Sequence, residues 1–262
     1  AVLRVPVDGL AAPWLLLVGL GDLGSVHERC TVLAKALAQH AKGQRHIAVL
    51  APECNDECVE RLATAVHLAT YSYLTHKTEE SAKAEQTLAV VVTSGDARAR
   101  AEQPLETARV LGESVNLARD LVNAPPNLLR PSSFASQAEE LAKRYGLSCE
   151  VLDHEALAAE RMALFLAVGR GSDDPPKMVK LQYTPQAVGN WPKVALVGKG
   201  LTFDAGGLCL KPAKSMSTMK LDMGGAATTL GTIVAAARLQ LRVEITAYLG
   251  IAENMPSGAA YR

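Results

Sequence analysis

Lys199, Asp204, Lys211 and Asp222 are the residues whose types and spacing could do chemistry together. The first three lie in "VGKGLTFDAGGLCLKP" (197–212) and the fourth in "MKLDMGGAATTLG" (219–231). Two carboxylates and two amines that converge can form a plain ion-pair network, the bland reading that any functional one has to beat on its chemistry.

Such a cluster needs elements to position it. "KVALVGKGLTFDAGG" reads as a buried strand that delivers Lys199 at its carboxyl end and Asp204 after a short turn, the place where ligands collect in open α/β sheets. Gly206 and Gly207 allow the tight turn after which "LCLK" brings Lys211 back. Asp222 stands immediately before a helix whose small residues suit close packing on a sheet.

Along the whole chain, Val-, Leu- and Ile-rich runs alternate with helical patterns, which predicts an α/β fold with parallel strands and crossover helices. Strands at 14–18, 46–51 and 87–93 with helices at 26–41 and 55–70 make a first α/β domain, 1–104. The unpatterned "TSGDARARAEQP" (93–104) marks its limit. A connector helix at 105–122 opens a second domain, 105–262. There the pattern predicts helices at 132–145, 154–161 and 224–239, with strands at 148–152, near 164–168, 178–183, 194–198 and 243–250.

Composition narrows the function classes. With 262 residues, 48% of them apolar, the chain can fill real cores. Lys plus Arg equals Asp plus Glu at 27 each, so no global field steers it to nucleic acid or an anionic membrane, and nucleic acid is not indicated as a partner. No run reaches 18 apolar residues, so no spanning helix is expected. Five scattered cysteines fit a reducing compartment. Ala1 in place of methionine leaves room for a removed leader or an incomplete N-terminus.

Other motifs compete poorly. Gly19, Gly21 and Gly24 have the G-x-G-x-x-G spacing, but Glu53 lies too far beyond them for the ribose contact of a dinucleotide site. A strand-to-helix glycine turn is the preferred reading. Cys54 and Cys58 lack a partner pair for zinc, the six histidines form no H-x-x-x-H, and no G-x-S-x-G or P-loop sequence occurs.

"VGKGLTFDAGGLCLKP", "MKLDMGGAA" and "AENMPSG" closely resemble the leucyl aminopeptidases, the hexameric two-metal aminopeptidase family; "LVNAPPNLLRPSSFA" and "LAVGRGSDDPP" resemble the start of the same catalytic domain. The resemblance covers about 105–262 strongly and the N-terminal part more weakly. It implies a macrodomain-like N-terminal α/β module and an α/β/α catalytic domain with a mixed, mostly parallel sheet. It further implies that Lys199, Asp204 and Asp222 are ligands of two zinc or manganese ions, with Asp204 bridging them. Lys211 becomes the catalytic lysine, and Met219 lines the pocket for the substrate's first side chain. Met219 as ordinary core and the four charged residues as an ion-pair network stay open as readings of the residues alone. Peptide substrates, a homo-hexamer or larger assembly and a cytoplasmic place, or an organelle matrix after loss of a targeting peptide, also follow from the resemblance.

The chain departs from that family where it stops, at "ENMPSGAAYR". Family members continue and supply two further metal-binding carboxylates and a bicarbonate-positioning arginine. The catalytic domain is therefore expected to be incomplete at its C-terminus, and the chain by itself inactive. The alternative is a family member that serves as a non-catalytic subunit.

Overall fold

A computed structural model describes residues 2–6, 14–18, 24–40, 46–50, 56–78, 87–91 and 101–262. They fall into two compact units, Ala1–Glu113 and Ser114–Arg262. The mixed α/β class expected from the alternation of patterns is present in both.

In the first unit, β1 (Val2–Pro6) pairs antiparallel with β2 (Trp14–Val18), and β3 (His46–Leu50) pairs parallel with β4 (Thr87–Val91). Helix α1 (Val26–His40) begins with Ser25 and Glu28 in reciprocal hydrogen bonds: the Glu28 amide donates to Ser25 Oγ and the Ser25 amide to the Glu28 carboxylate, each at 3.2 Å. Helix α2 (Asp56–Ala69) sets Val59, Leu62, Ala63 and Val66 on one face by three- and four-residue spacing. Leu62 and Val66 meet Cys30, Leu37 and Val49 in a small core. Of the residues weighed for a dinucleotide site, Gly19, Gly21 and Glu53 lie outside the described residues, as does Cys54; Gly24 precedes the α1 cap.

Helix α3 (Glu102–Asn123) covers the span predicted as 105–122. Beyond it, α4 (Pro131–Tyr145) starts with a proline at its first position and stops at Gly146, whose φ of 68° a glycine adopts without strain. The sheet of the second unit has the order β5 (Ser148–Leu152), β6 (Lys177–Tyr183), β8 (Glu244–Asn254), β7 (Lys193–Asp204). The β7–β8 pair is parallel and is joined by a crossover helix; β5–β6 and β6–β8 are antiparallel. Antiparallel pairing takes a larger share of these four strands than the strand–helix alternation suggests, because that alternation does not fix the direction in which a strand enters the sheet.

The crossover helix α8 (Gly224–Arg238) is buried along most of its length. Its Ala226, Ala227, Leu230, Ile233 and Val234 join Phe134 and Ala138 of α4 and Val179, Leu181, Ala247, Leu249 and Ile251 of the sheet in the main core. Its small residues bring it close to β7: a side chain on Gly198 would meet the Cα of Ala226 at 2.6 Å and the carbonyl oxygen of Gly225 at 2.8 Å.

Two local expectations are corrected. The apolar run expected as a strand near 164–168 is helix α6 (Ala163–Val168), directly after α5 (His154–Ala159). A short apolar run carries no period that separates strand from helix, and of its six residues only Val168 is β-branched. The strand expected to release Lys199 near its end continues to Asp204, because β8 offers it partners as far as Asn254.

Candidate functional site

That longer strand changes how Lys199 and Asp204 come together. Lys199 pairs with Gly250 and Asp204 with Asn254, and the register shifts between Leu201 and Asp204. Five residue steps along β7, Lys199 to Asp204, thus match four along β8, Gly250 to Asn254, the mark of a bulge. Residues an odd number apart would face opposite sides of a regular strand; the extra residue restores them to one side. Gly198 and Gly200 turn toward α8, while Gly250, the partner of Lys199, faces Phe165 of α6 at 3.5 Å from where a Cβ would stand. Lys199 and Asp204 therefore share the α6 face.

After Asp204 the chain makes the turn that the glycines predict. Gly206 (φ 91°) and Gly207 (φ 73°) are both left-handed, and a Cβ on Gly206 would stand 2.4 Å from the carbonyl oxygen of Cys209. A hydrogen bond from the Lys211 amide to the Ala205 carbonyl, 2.9 Å, closes the loop. Lys211 Nζ then lies 2.6 Å from Asp204 Oδ2 and 3.0 Å from Met219 Sδ. Helix α7 (Ala213–Met216) leads into a single 3-10 turn, Met219–Leu221, and Asp222 follows it. Lys199 Nζ contacts Asp222 Oδ2 at 2.6 Å.

The structure thus brings the five singled-out residues together in two groups, Lys199 with Asp222 and Lys211 with Asp204 and Met219. The four charged groups form two ion pairs, Lys199–Asp222 and Lys211–Asp204. The pairs differ in setting: the Lys199 side chain is 59% exposed, that of Lys211 only 28%. An exposed pair stabilises a fold by about 0–1 kcal/mol, so Lys199–Asp222 contributes little as a structural bond. Met219 is half-buried against Phe203, Ala205 and Met255, so it packs as core residues do while its sulfur faces Lys211.

Asp204 is held ionised. Its burial would raise its pKa, but hydrogen bonds from Lys211, the Gly206 amide and Asn254 outweigh that and bring it below the ordinary carboxylate range. Asn254 Nδ2 and the Gly206 amide both donate to Oδ1, at 2.9 Å each. Asn254 was not recognisable as a partner from the sequence, fifty positions away; only its place in "AENMPSG" hinted at it.

A second network lies beside the first. Glu253 is fully buried, accepting from Arg262 Nε at 2.5 Å and Nη2 at 2.6 Å, from Ser172 Oγ at 2.5 Å and from Arg130 Nη2 at 3.3 Å. Arg130 also binds Asp173, and Ser132 donates to Asp174. These contacts fasten the end of β8 to the start of α4 and the loop after α6.

The donor set can be tested against a metal ion. Asp204 and Asp222 are hard oxygen donors, and the Lys199 amine becomes a donor on losing its proton, so by type these groups fit a divalent cation. Among the described residues no three His, Cys, Asp or Glu side chains gather closely enough to hold an ion. Two ions at about four or more ligands each would call on donors in addition to these three residues.

Similarity to known proteins bears on the same residues. The chain matches the profile described as "Cytosol aminopeptidase family, catalytic domain" over residues 116–262, and that of the family's N-terminal domain over 1–80. It is 35% identical over 262 residues to a probable cytosol aminopeptidase of Corynebacterium diphtheriae, covering 100% of this chain and 51% of that protein. It is 39% identical over 261 residues to one of Geotalea uraniireducens, covering 97% and 52%. Among solved structures, the bottromycin maturation enzyme BotP in complex with Mn superposes with a TM-score of 0.83 at 32% identity, over 100% of this chain and 55% of that one. The chain spans about half the length of the curated relatives it matches.

Proposed function

Since the chain belongs to the cytosol aminopeptidase family, we propose that it forms part of a metal-dependent aminopeptidase that removes leucine-like residues from the N-termini of peptides. The observation that carries this reading is the pairing of each lysine with a carboxylate, Lys199 with Asp222 and Lys211 with Asp204, with Asp204 kept anionic.

In this reading Asp204, Asp222 and deprotonated Lys199 hold divalent ions, zinc or manganese, two in the complete centre. A Mn complex of the similar enzyme BotP supports the choice of cation. When bound there, such ions supply Lewis acidity, which activates water and polarises a carbonyl. Lys211 keeps its proton and donates to the substrate oxygen on which negative charge develops. Met219 Sδ beside Nζ limits where that ammonium can point, and the half-buried thioether offers an adaptable apolar wall to the first side chain of the substrate. In the same reading the protein acts on peptides in the cytoplasm, as a homo-hexamer or larger assembly.

The test is metal analysis of the complete protein followed by hydrolysis of leucyl anilide. Zinc or manganese bound in stoichiometric amount, activity lost with a chelator and restored by manganese, is the expected outcome. A complete protein that binds neither metal and leaves the anilide intact after manganese is added would be a non-catalytic member of the family.

A further inference from the structure

We infer that Asn254 is the positioning residue of Asp204, its side-chain amide fixing which carboxylate oxygen is presented to a cation; the inference rests on the metal-binding role proposed for Asp204. Both residues end their strands and face one another across the parallel pair β7–β8. The Ala205 amide donates to the Asn254 carbonyl at 2.8 Å, continuing the ladder one step past Asp204. The Asn254 amide nitrogen reaches Asp204 Oδ1 at 2.9 Å, and an ionised carboxylate only accepts, so the amide is oriented with its NH2 toward Asp204.

Oδ1 also accepts from the Gly206 amide at 2.9 Å. Two N–H donors occupy the two lone-pair directions of that oxygen. Oδ2 is different: its partner is the ammonium of Lys211, carried on a flexible stem that can move aside. The carboxylate is thus pinned by one oxygen and offers the other.

Asn254 has little freedom of its own. A Cβ on Gly207 would stand 2.8 Å from Asn254 Oδ1, so the loop closes over the amide only because that position, at φ 73°, is glycine. One residue earlier, buried Glu253 is gripped by Arg262, Ser172 and Arg130. Rotation at the end of β8 would break that network, so it acts as a clamp on the backbone of Asn254. Groups that orient a metal ligand through a hydrogen bond in this way typically alter metal affinity about 10–100-fold when removed.

The experiment is a titration of the complete, metal-free protein with Mn2+, followed by the electron paramagnetic resonance signal of the free ion, for the wild type, Asn254→Ala and Asn254→Ser. Neither substitute can donate to Oδ1 from the amide's position. Melting of each metal-free variant shows that it is folded, and Asn254→Ser serves if Asn254→Ala does not fold. The expected result is Mn2+ binding by the wild type and affinity weaker by about 10–100-fold in the folded variants, with a changed spectrum of the bound ion. Folded variants that bind Mn2+ as tightly as the wild type, with only a lower melting temperature, overturn the positioning role and leave the metal reading intact. A wild type that does not bind Mn2+ overturns the metal reading itself, and the inference with it.

Discussion

Met219 opens a 3-10 turn and Asp222 directly follows it, and each touches a different lysine: Met219 Sδ lies 3.0 Å from Lys211 Nζ, and Asp222 Oδ2 lies 2.6 Å from Lys199 Nζ. The two ion pairs are thus linked through the segment Met219–Asp222, though their lysines come from different elements, a strand and the loop after it. The lysines themselves are not equivalent. One is exposed and paired with a single carboxylate; the other is half-buried between a carboxylate and a thioether.

That asymmetry predicts a division of labour. Lys199→Ala should lower metal content, because it removes a donor, whereas Lys211→Ala should leave metal content near that of the wild type and slow turnover by about 100-fold or more, the scale for loss of one group facing a developing oxyanion. Metal analysis alongside kcat and KM on leucyl anilide distinguishes the two. Equal metal loss in both variants would show that the roles are wrongly divided.

The contact between strand and helix carries a second prediction. Gly198 lies against Gly225 and Ala226 at the start of α8, two residues from the turn that bears Asp222. In Gly198→Ala, the new methyl would stand 2.6 Å from the Cα of Ala226, a backbone atom that cannot swing aside. The helix must shift, at a cost of about 1–3 kcal/mol, and it carries Asp222 away from Lys199 as it does. Urea denaturation should report the destabilisation and a Mn2+ titration a weakened site. An unchanged midpoint would mean that the helix start is looser than this packing implies.

The chemistry of the site was legible in the sequence because its charged residues are concentrated in two short segments with glycines that announce a turn. Most of the elements were legible too, including helix α4 with its initial proline and terminal glycine, and strand β5 to the residue. The bulge between Leu201 and Asp204 was not, since it exists only relative to the partner strand, and it is what puts Lys199 and Asp204 on one face. Asn254 and Glu253 were hidden for the same reason: their partners are long-range, Asp204 and Arg130 at sequence separations of 50 and 123. Helix α6 was misread because "ALFLAV" has apolar residues at every position and hence no period to read.

Glu253 supplies the third prediction. Its side chain is fully buried and faces two guanidinium groups, so removing it leaves positive charge behind with one neutralising partner fewer. Breaking a buried pair from one side costs about 3–5 kcal/mol. Glu253→Ala should show that loss in urea denaturation, and it should loosen the segment around Ser172 and Arg262, raising protease sensitivity there. A loss below about 1 kcal/mol, the scale of an exposed pair, would show that solvent reaches the network.

The same residue predicts how stability responds to acid. Burial would raise the pKa of Glu253, but the hydrogen bonds from Arg262 and Ser172 and the charges of Arg262 and Arg130 outweigh it, so its folded value lies below the ordinary 4.5. A carboxylate depressed on folding contributes stability that is fully present above its unfolded value and is lost as pH falls through the folded one. Asp204, also depressed, acts in the same direction from its ordinary 3.8. The melting temperature of the metal-free protein should therefore vary little with these two groups above about pH 5.5 and fall as the pH drops below about 4.5. Glu253→Gln, which cannot ionise, should start from a lower melting temperature and lose less of it between about pH 5 and pH 3. Parallel curves for the two proteins through that window would mean that Glu253 titrates alike folded and unfolded, and that the arginines beside it hold no ionised carboxylate.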